Sequence, residues 1–263
     1  MEYTTLLISS LTLYVLTAFI LFFNKVKNKN LASFTLISGL IAHASLLYIT
    51  IILNNINLNF ANSLLLLSWV TVLFYYLINR KIQYIGLENL TITPAILIIL
   101  CHPLIRNNQY IEFQMSISSI VHIIIAILSY SLLTVGALFS IFILLFEKNL
   151  NKKNKNIQNI TSNFSLIKME DILFKIYWLG FILLTITLLS GLLFSNEIFG
   201  SSPIWNHKTI FSLMAWIIYG FMLIGRFKYG WRGEKAVIIT LIAFMFLFLS
   251  YFGTKFVLEI LLN

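Results

Sequence analysis

Four histidines, His43, His102, His122 and His207, are the residues of this 263-residue chain best suited to chemistry. A neutral imidazole ligates a metal through either ring nitrogen, and near neutral pH it also exchanges a proton. No Ser-His-Asp order, paired carboxylates or metalloprotease motif accompanies them, so hydrolytic and phosphoryl chemistry find no support. Cys101 is the single cysteine, which excludes an intramolecular disulfide and a cysteine-rich metal site. What each imidazole can do therefore depends on what holds it.

The elements that must hold them are membrane helices. The chain is 59% hydrophobic and 10% charged, with mean hydropathy +0.92, whereas a soluble domain carries roughly 25% charged residues. A spanning helix needs about 20 mostly apolar residues. Eight runs qualify, at 3–23, 31–53, 63–79, 84–102, 117–146, 173–195, 207–225 and 236–260. Glu88 and Pro94 interrupt the fourth, the weakest of the set. The first has no basic residue before it and is too long for a signal-peptide core, so it reads as a retained span. An all-α, polytopic transmembrane helix bundle follows, expected as one integral membrane domain over 1–263, with no internal repeat of the transporter kind.

Charge placement orients that bundle. The net charge of +9 comes from clusters after every second span: Lys25, Lys27, Lys29; Arg80, Lys81; Lys148, Lys152, Lys153, Lys155; and Arg226, Lys228, Arg232, Lys235. This is the positive-inside pattern and not a nucleic-acid patch; the partner it implies is a lipid bilayer. With the clusters inside, both termini fall outside, and of the 18 Lys and Arg only Arg106, Lys208 and Lys255 lie on the outer side. The long loop Asn149 to Phe164 is rich in Asn and Lys. The segment SLIKMEDILFKIYW after it has the spacing of a helix lying in the interface. The glycines of GRFKYGWRGEK lack phosphate-loop spacing and mark a basic, lipid-facing turn.

Each histidine then has a place. His43 lies mid-span, about 18 Å along the helix from residue 31, on a face continued by Ala32, Thr35 and Gly39. Such a small-residue stripe lets another helix approach closely. An ionisable group at this depth is commonly functional; the plainer alternative is a neutral imidazole bonded to a nearby Ser or Thr. His122 lies toward the outer end of the fifth span, about 9 Å nearer the surface than His43, and shares its face with Ala126, Ser129 and Leu133. His207 opens the seventh span beside Trp205 and Lys208, at a level where a His is often merely solvated. His102, between Cys101 and Pro103, lacks the spacing of a metal ligand. Lys255 and Glu259 stand four residues apart, able to pair on one helix face.

Several longer blocks carry a resemblance. VHIIIAILSYSLLTVGALFSIFIL places a Ser-Tyr pair after His122. LTITLLSGLLFSNEIFGSSPIWNHKTIFSLMAWIIY joins two spans through a loop holding Trp205 and His207. FMFLFLSYFGTKFVLEILL holds Tyr-Phe-Gly, and NLNFANSLLLLSWVTVLFYYLI holds Asn-Ser and Ser-Trp. In this order, from about residue 54 onward, they resemble the CcsA-type cytochrome c assembly proteins. The AHASLL setting of His43 is shared with that family's short YpjD branch.

The resemblance implies an outward-facing haem site, with a tryptophan-rich loop as a shelf and external histidines as axial ligands. His122 matches the external histidine before the loop, Trp205 one loop tryptophan, and Lys208 the lysine that follows. The family's Trp-Asp-Pro-Lys is Trp205, Asn206, His207, Lys208 here. Its membrane histidine at the end of the seventh span is replaced within LIGR, residues 223–226, and its second external histidine after Tyr-Phe-Gly is missing. The expectation is a multi-pass protein of the bacterial cytoplasmic (inner) membrane that handles haem in cytochrome c assembly. It would be a binding or assembly protein rather than an enzyme. Iron would be held by His122, with His43 or His207 as second ligand, and Trp205, Trp69 and Tyr130 as pocket wall. Partners would be an apocytochrome or another maturation membrane protein. Two alternatives are a small transporter or permease subunit using His43 and the Lys255–Glu259 pair, and a non-catalytic scaffold or regulator.

Overall fold

Inside a bilayer every backbone N–H and C=O must find a partner within the protein, and a helix satisfies them locally. The computed structural model describes residues 2–23, 29–53, 57–82, 87–105, 116–151, 166–195 and 205–257, and all regular structure among them is helical. The helices are α1 (Glu2–Phe23), α2 (Lys29–Leu47), α3 (Phe60–Ile82), α4 (Leu87–Ile105), α5 (Ile117–Asn151), α6 (Leu166–Leu193), α7 (His207–Tyr229) and α8 (Gly233–Phe248). They coincide with the eight expected runs. Seven segments are long and apolar enough to cross a membrane, and α4 contributes a shorter one, Leu90–Ile105. Pro94 and Pro103 both lie inside α4.

Two helices end in π turns that hydropathy does not announce. α2 runs on through Tyr48–Ile52 and α8 through Leu249–Gly253, the latter followed by a last turn, Thr254–Phe256. The segment expected at the interface instead forms the first turns of α6. Met169, Leu173 and Phe174 are buried there, and Glu170 and Asp171 engage Arg226. Most of the Asn149–Phe164 loop lies outside the described residues, as does Glu259.

The helices gather into two compact units, 1–114 with 255–263 and 115–254. In the first, α1 packs on α2 and α4, and α3 on α4. The small-residue stripe of α2 does what its composition predicts. A Cβ at Gly39 would stand 2.8 Å from the Tyr14 ring, and Thr17 donates to Thr35 across the same seam at 2.9 Å.

In the second unit α5 packs on α6 and α8, and α7 on α6 and α8, closing a ring of four helices. Gly136 and Gly180 make the α5–α6 seam: added Cβ atoms would lie 2.7 Å from Tyr177 and 2.6 Å from Leu133. Hydroxyls finish it, with Ser140 bonded to the Tyr177 hydroxyl at 2.8 Å and Ser129 donating to the Gly180 carbonyl. Large apolar side chains such as Phe19, Phe34, Ile124 and Phe221 point outward, as a lipid-facing surface requires. At one end of the unit Arg226 of α7 bonds Asp171 and the Trp231 carbonyl, while Glu170 accepts from the Gly233 N–H. The chain turns there at Gly230, whose φ of +66° favours glycine.

Candidate functional site

Antiparallel packing brings the start of α5, the end of α6, the start of α7 and the π turn after α8 to the other end of the second unit. Ser116 begins α5, its hydroxyl accepting from the Ser119 N–H at 3.1 Å. His122 follows within the next turn, partly buried. Its Nδ1 lies 2.8 Å from the Ser190 hydroxyl on α6. The neighbouring residue is Gly191, where a Cβ would come 3.3 Å from His122 Cε1. The imidazole thus rests on a stretch of α6 that offers one hydroxyl and no side-chain bulk.

α7 opens one residue past Asn206, whose side chain accepts from the Thr209 N–H at 3.0 Å. Its first turn carries Lys208, the charged neighbour of His122. The Lys208 ammonium stands 5.3 Å from the centre of the Tyr251 ring, and its carbonyl accepts from Ser250 at 3.1 Å. Ser250 and Tyr251 come from the π turn. Tyr251 in turn lies 6.1 Å from Tyr130 of α5, whose hydroxyl meets Ser250. One imidazole, one ammonium and two phenols therefore occupy one end of a four-helix unit. The pattern suits a flat aromatic ligand with an acidic edge. Trp205 and His207 lie just before and at the start of α7, both exposed, Trp205 by 69%.

His43 and Trp69, the other expected site residues, belong to the first unit. His43 is fully buried, with Nδ1 3.3 Å from the Tyr14 hydroxyl. Its Nε2 is buried without a hydrogen-bond partner; the Leu65 carbonyl faces the ring but falls outside hydrogen-bond geometry. Trp69 spends its indole N–H on the Leu40 carbonyl at 2.9 Å, tying α3 to α2.

His102, which sequence spacing passed over, is the hub of the first unit's polar network. It is 1% exposed, with Nδ1 2.8 Å from the Tyr3 hydroxyl and Nε2 3.0 Å from Asn62 Oδ1. Asn62 donates its amide hydrogens to the Thr50 and Asn57 carbonyls, which fixes Oδ1 as the acceptor. The ring is then protonated on Nε2, and Tyr3 donates to Nδ1. Lys255 donates to the Leu58 carbonyl and to Ser63; Glu259, its expected partner, lies outside the described residues. The sequence signal for this network was the cluster Asn57, Asn59 and Asn62: three amides beside an apolar run call for buried partners. Among the described residues no three His, Cys, Asp or Glu side chains gather as a bare metal ion would need.

Comparison with known proteins fits this arrangement. Residues 57–262 match the family described as cytochrome C assembly protein. The cytochrome c biogenesis protein CcsA of Mesostigma viride is 28% identical over 222 residues, covering 75% of this chain and 73% of that protein. CcsA of Chlamydomonas reinhardtii is 33% identical over 138 residues, 52% of this chain and 38% of that one. The inner membrane protein YpjD of Escherichia coli (strain K12) is 30% identical over 155 residues, 59% of this chain and 57% of that one. The chain thus spans less than two thirds of the length of two of these three relatives. The match runs through both units and includes His102, His122, Trp205 and the π turn after α8, and by it the chain belongs to the cytochrome c assembly protein family.

Proposed function

We propose that this protein handles haem during cytochrome c assembly in a bacterial cytoplasmic membrane, with the basic clusters on the cytoplasmic side. The observation that carries the reading is the gathering of His122, Lys208, Tyr251 and Tyr130 at one end of the second unit. The donor set fits the group. A neutral imidazole is a common axial ligand of haem iron, and aromatic side chains suit the faces of an apolar macrocycle.

When bound, haem would supply an iron centre open to axial ligation and to one-electron chemistry. The chain's own residues do the rest. His122 would hold the iron, with His207 as the second ligand. Lys208 would balance an acidic substituent of the ring. Tyr130 and Trp205 would present aromatic surface. An apocytochrome or another maturation membrane protein would be the partner. A cytochrome c synthetase complete in itself is not proposed, since the family's membrane histidine at the end of the seventh span is replaced within LIGR, residues 223–226.

The test is the absorbance spectrum of detergent-purified protein, oxidised and then reduced with dithionite, with haem quantitation. A near-stoichiometric six-coordinate spectrum is expected. A colourless protein that takes up no added haem sinks the reading and leaves a transporter built on the buried polar groups of the first unit. That reading predicts liposome transport lost in His43→Ala.

A further inference from the structure

The imidazole of His122 has two nitrogens, and only one can carry the hydrogen when the ring is neutral. Which one decides what the residue can do, since a ligand must present a lone pair. Ser190 settles the matter through its own single hydrogen. Its hydroxyl lies 3.0 Å from the Thr187 carbonyl, three residues back on the same helix, and donates to it. A serine inside a helix commonly bonds back to the preceding turn in this way. With that hydrogen spent, the 2.8 Å contact to His122 Nδ1 leaves Ser190 Oγ as the acceptor and Nδ1–H as the donor.

We propose that Ser190 is the positioning residue of His122, holding the imidazole as its Nδ1–H tautomer and presenting the Nε2 lone pair as the ligating atom. Gly191 completes the device. With His122 Cε1 only 3.3 Å from where a Cβ would stand, the ring is seated against the α6 backbone, and its rotation is fixed along with its tautomer. Metal-ligating histidines generally spend their second nitrogen on a neighbour that sets the tautomer. Here that neighbour is a hydroxyl whose hydrogen is already engaged, so it orients the ring without adding charge inside the bundle.

The identity of the ligand as haem rests on the function proposed above, but the tautomer is measurable without it. In haem-free protein carrying 15N-labelled histidine, the His122 signals, assigned by their loss in His122→Ala, are expected to show a protonated Nδ1 and a bare Nε2. Ser190→Ala should move the ring toward the Nε2–H form, and Ser190→Thr should restore the wild-type pattern. A wild-type ring protonated on Nε2, or a tautomer unmoved in Ser190→Ala, overturns the proposal. The wild-type spectrum decides it alone if Ser190→Ala does not fold.

In haem-loaded protein, Ser190→Ala should weaken affinity about 10- to 100-fold and shift the iron–histidine vibration, and Ser190→Thr should recover both. An unchanged vibration and affinity in Ser190→Ala would also overturn the proposal. The stated tautomer in a protein that takes up no haem would leave Ser190 as the orienting group and remove only the haem reading.

Discussion

His102 in the first unit and His122 in the second both bond side chains from other helices, yet they are opposite in kind. Around His102 both nitrogens are spent, one on Asn62 and one on Tyr3, and Asn62 has no freedom left because its amide is spent on two carbonyls. The ring closes a circuit. Around His122 a hydroxyl with its only hydrogen engaged meets Nδ1, and the charged neighbour is a lysine. Burial alone ranks them the wrong way round, since His102 is the more buried of the two. Counting each partner's hydrogens separates structural histidine from candidate ligand.

The largest effect should come from His122→Ala. If the comparison holds, the haem band disappears from purified protein while the variant still folds, read by absorbance against circular dichroism. A retained band would move the iron to another residue and break the comparison outright. His102→Ala should do the reverse, keeping the spectrum but orphaning Asn62 Oδ1. About 1–3 kcal/mol of stability should be lost for a buried polar group left unpaired, seen as a lower thermal midpoint in detergent. A haem band lost along with His102 would mean that the first unit's network is not merely structural.

Gly39→Ala tests the seam that holds His43. The added methyl would meet the Tyr14 ring at 2.8 Å, displacing the phenol that bonds His43, with an overpacking cost of about 1–3 kcal/mol. A lower thermal midpoint in detergent is expected; an unchanged midpoint would mean that the α1–α2 seam yields at no cost. The smallest effect is expected from Gly191→Ala. Its methyl, 3.3 Å from His122 Cε1, asks the ring to yield a few tenths of an ångström, and a few-fold drop in haem affinity should follow in titrations.

The fold was legible because lipid simplifies the problem. Eight apolar runs gave eight helices, and the stripe of Ala32, Thr35 and Gly39 announced the close approach of α1. The π turns were not legible, since Leu249–Gly253 is as apolar as the helix it interrupts. Nor was the partnership of His122 with Ser190, which lies 68 residues away. Spacing along one helix says which side chains share a face, but not which hydroxyl on another helix meets them. His102 was passed over for the opposite reason: judged by metal-ligand spacing, it looked inert, whereas its role is to satisfy amides. Lys255 also bonds the Leu58 carbonyl and Ser63, almost two hundred residues away, which spacing along one helix could not announce.

The π turn after α8 has a consequence for how such a chain can change over generations. A π turn arises where a helix absorbs one residue more than its α-helical pitch allows, so it behaves as a single inserted codon. Removing that residue from Leu249–Gly253 would restore regular winding and leave what lies on either side nearly where it is, so the change would fall on the turn itself, where Ser250 and Tyr251 sit. Ser250 and Tyr251 would no longer meet Lys208, although hydropathy, span length and the packing of α8 up to Phe248 would scarcely alter. A relative with that one-residue deletion would look like the same membrane protein and lack this corner of the site.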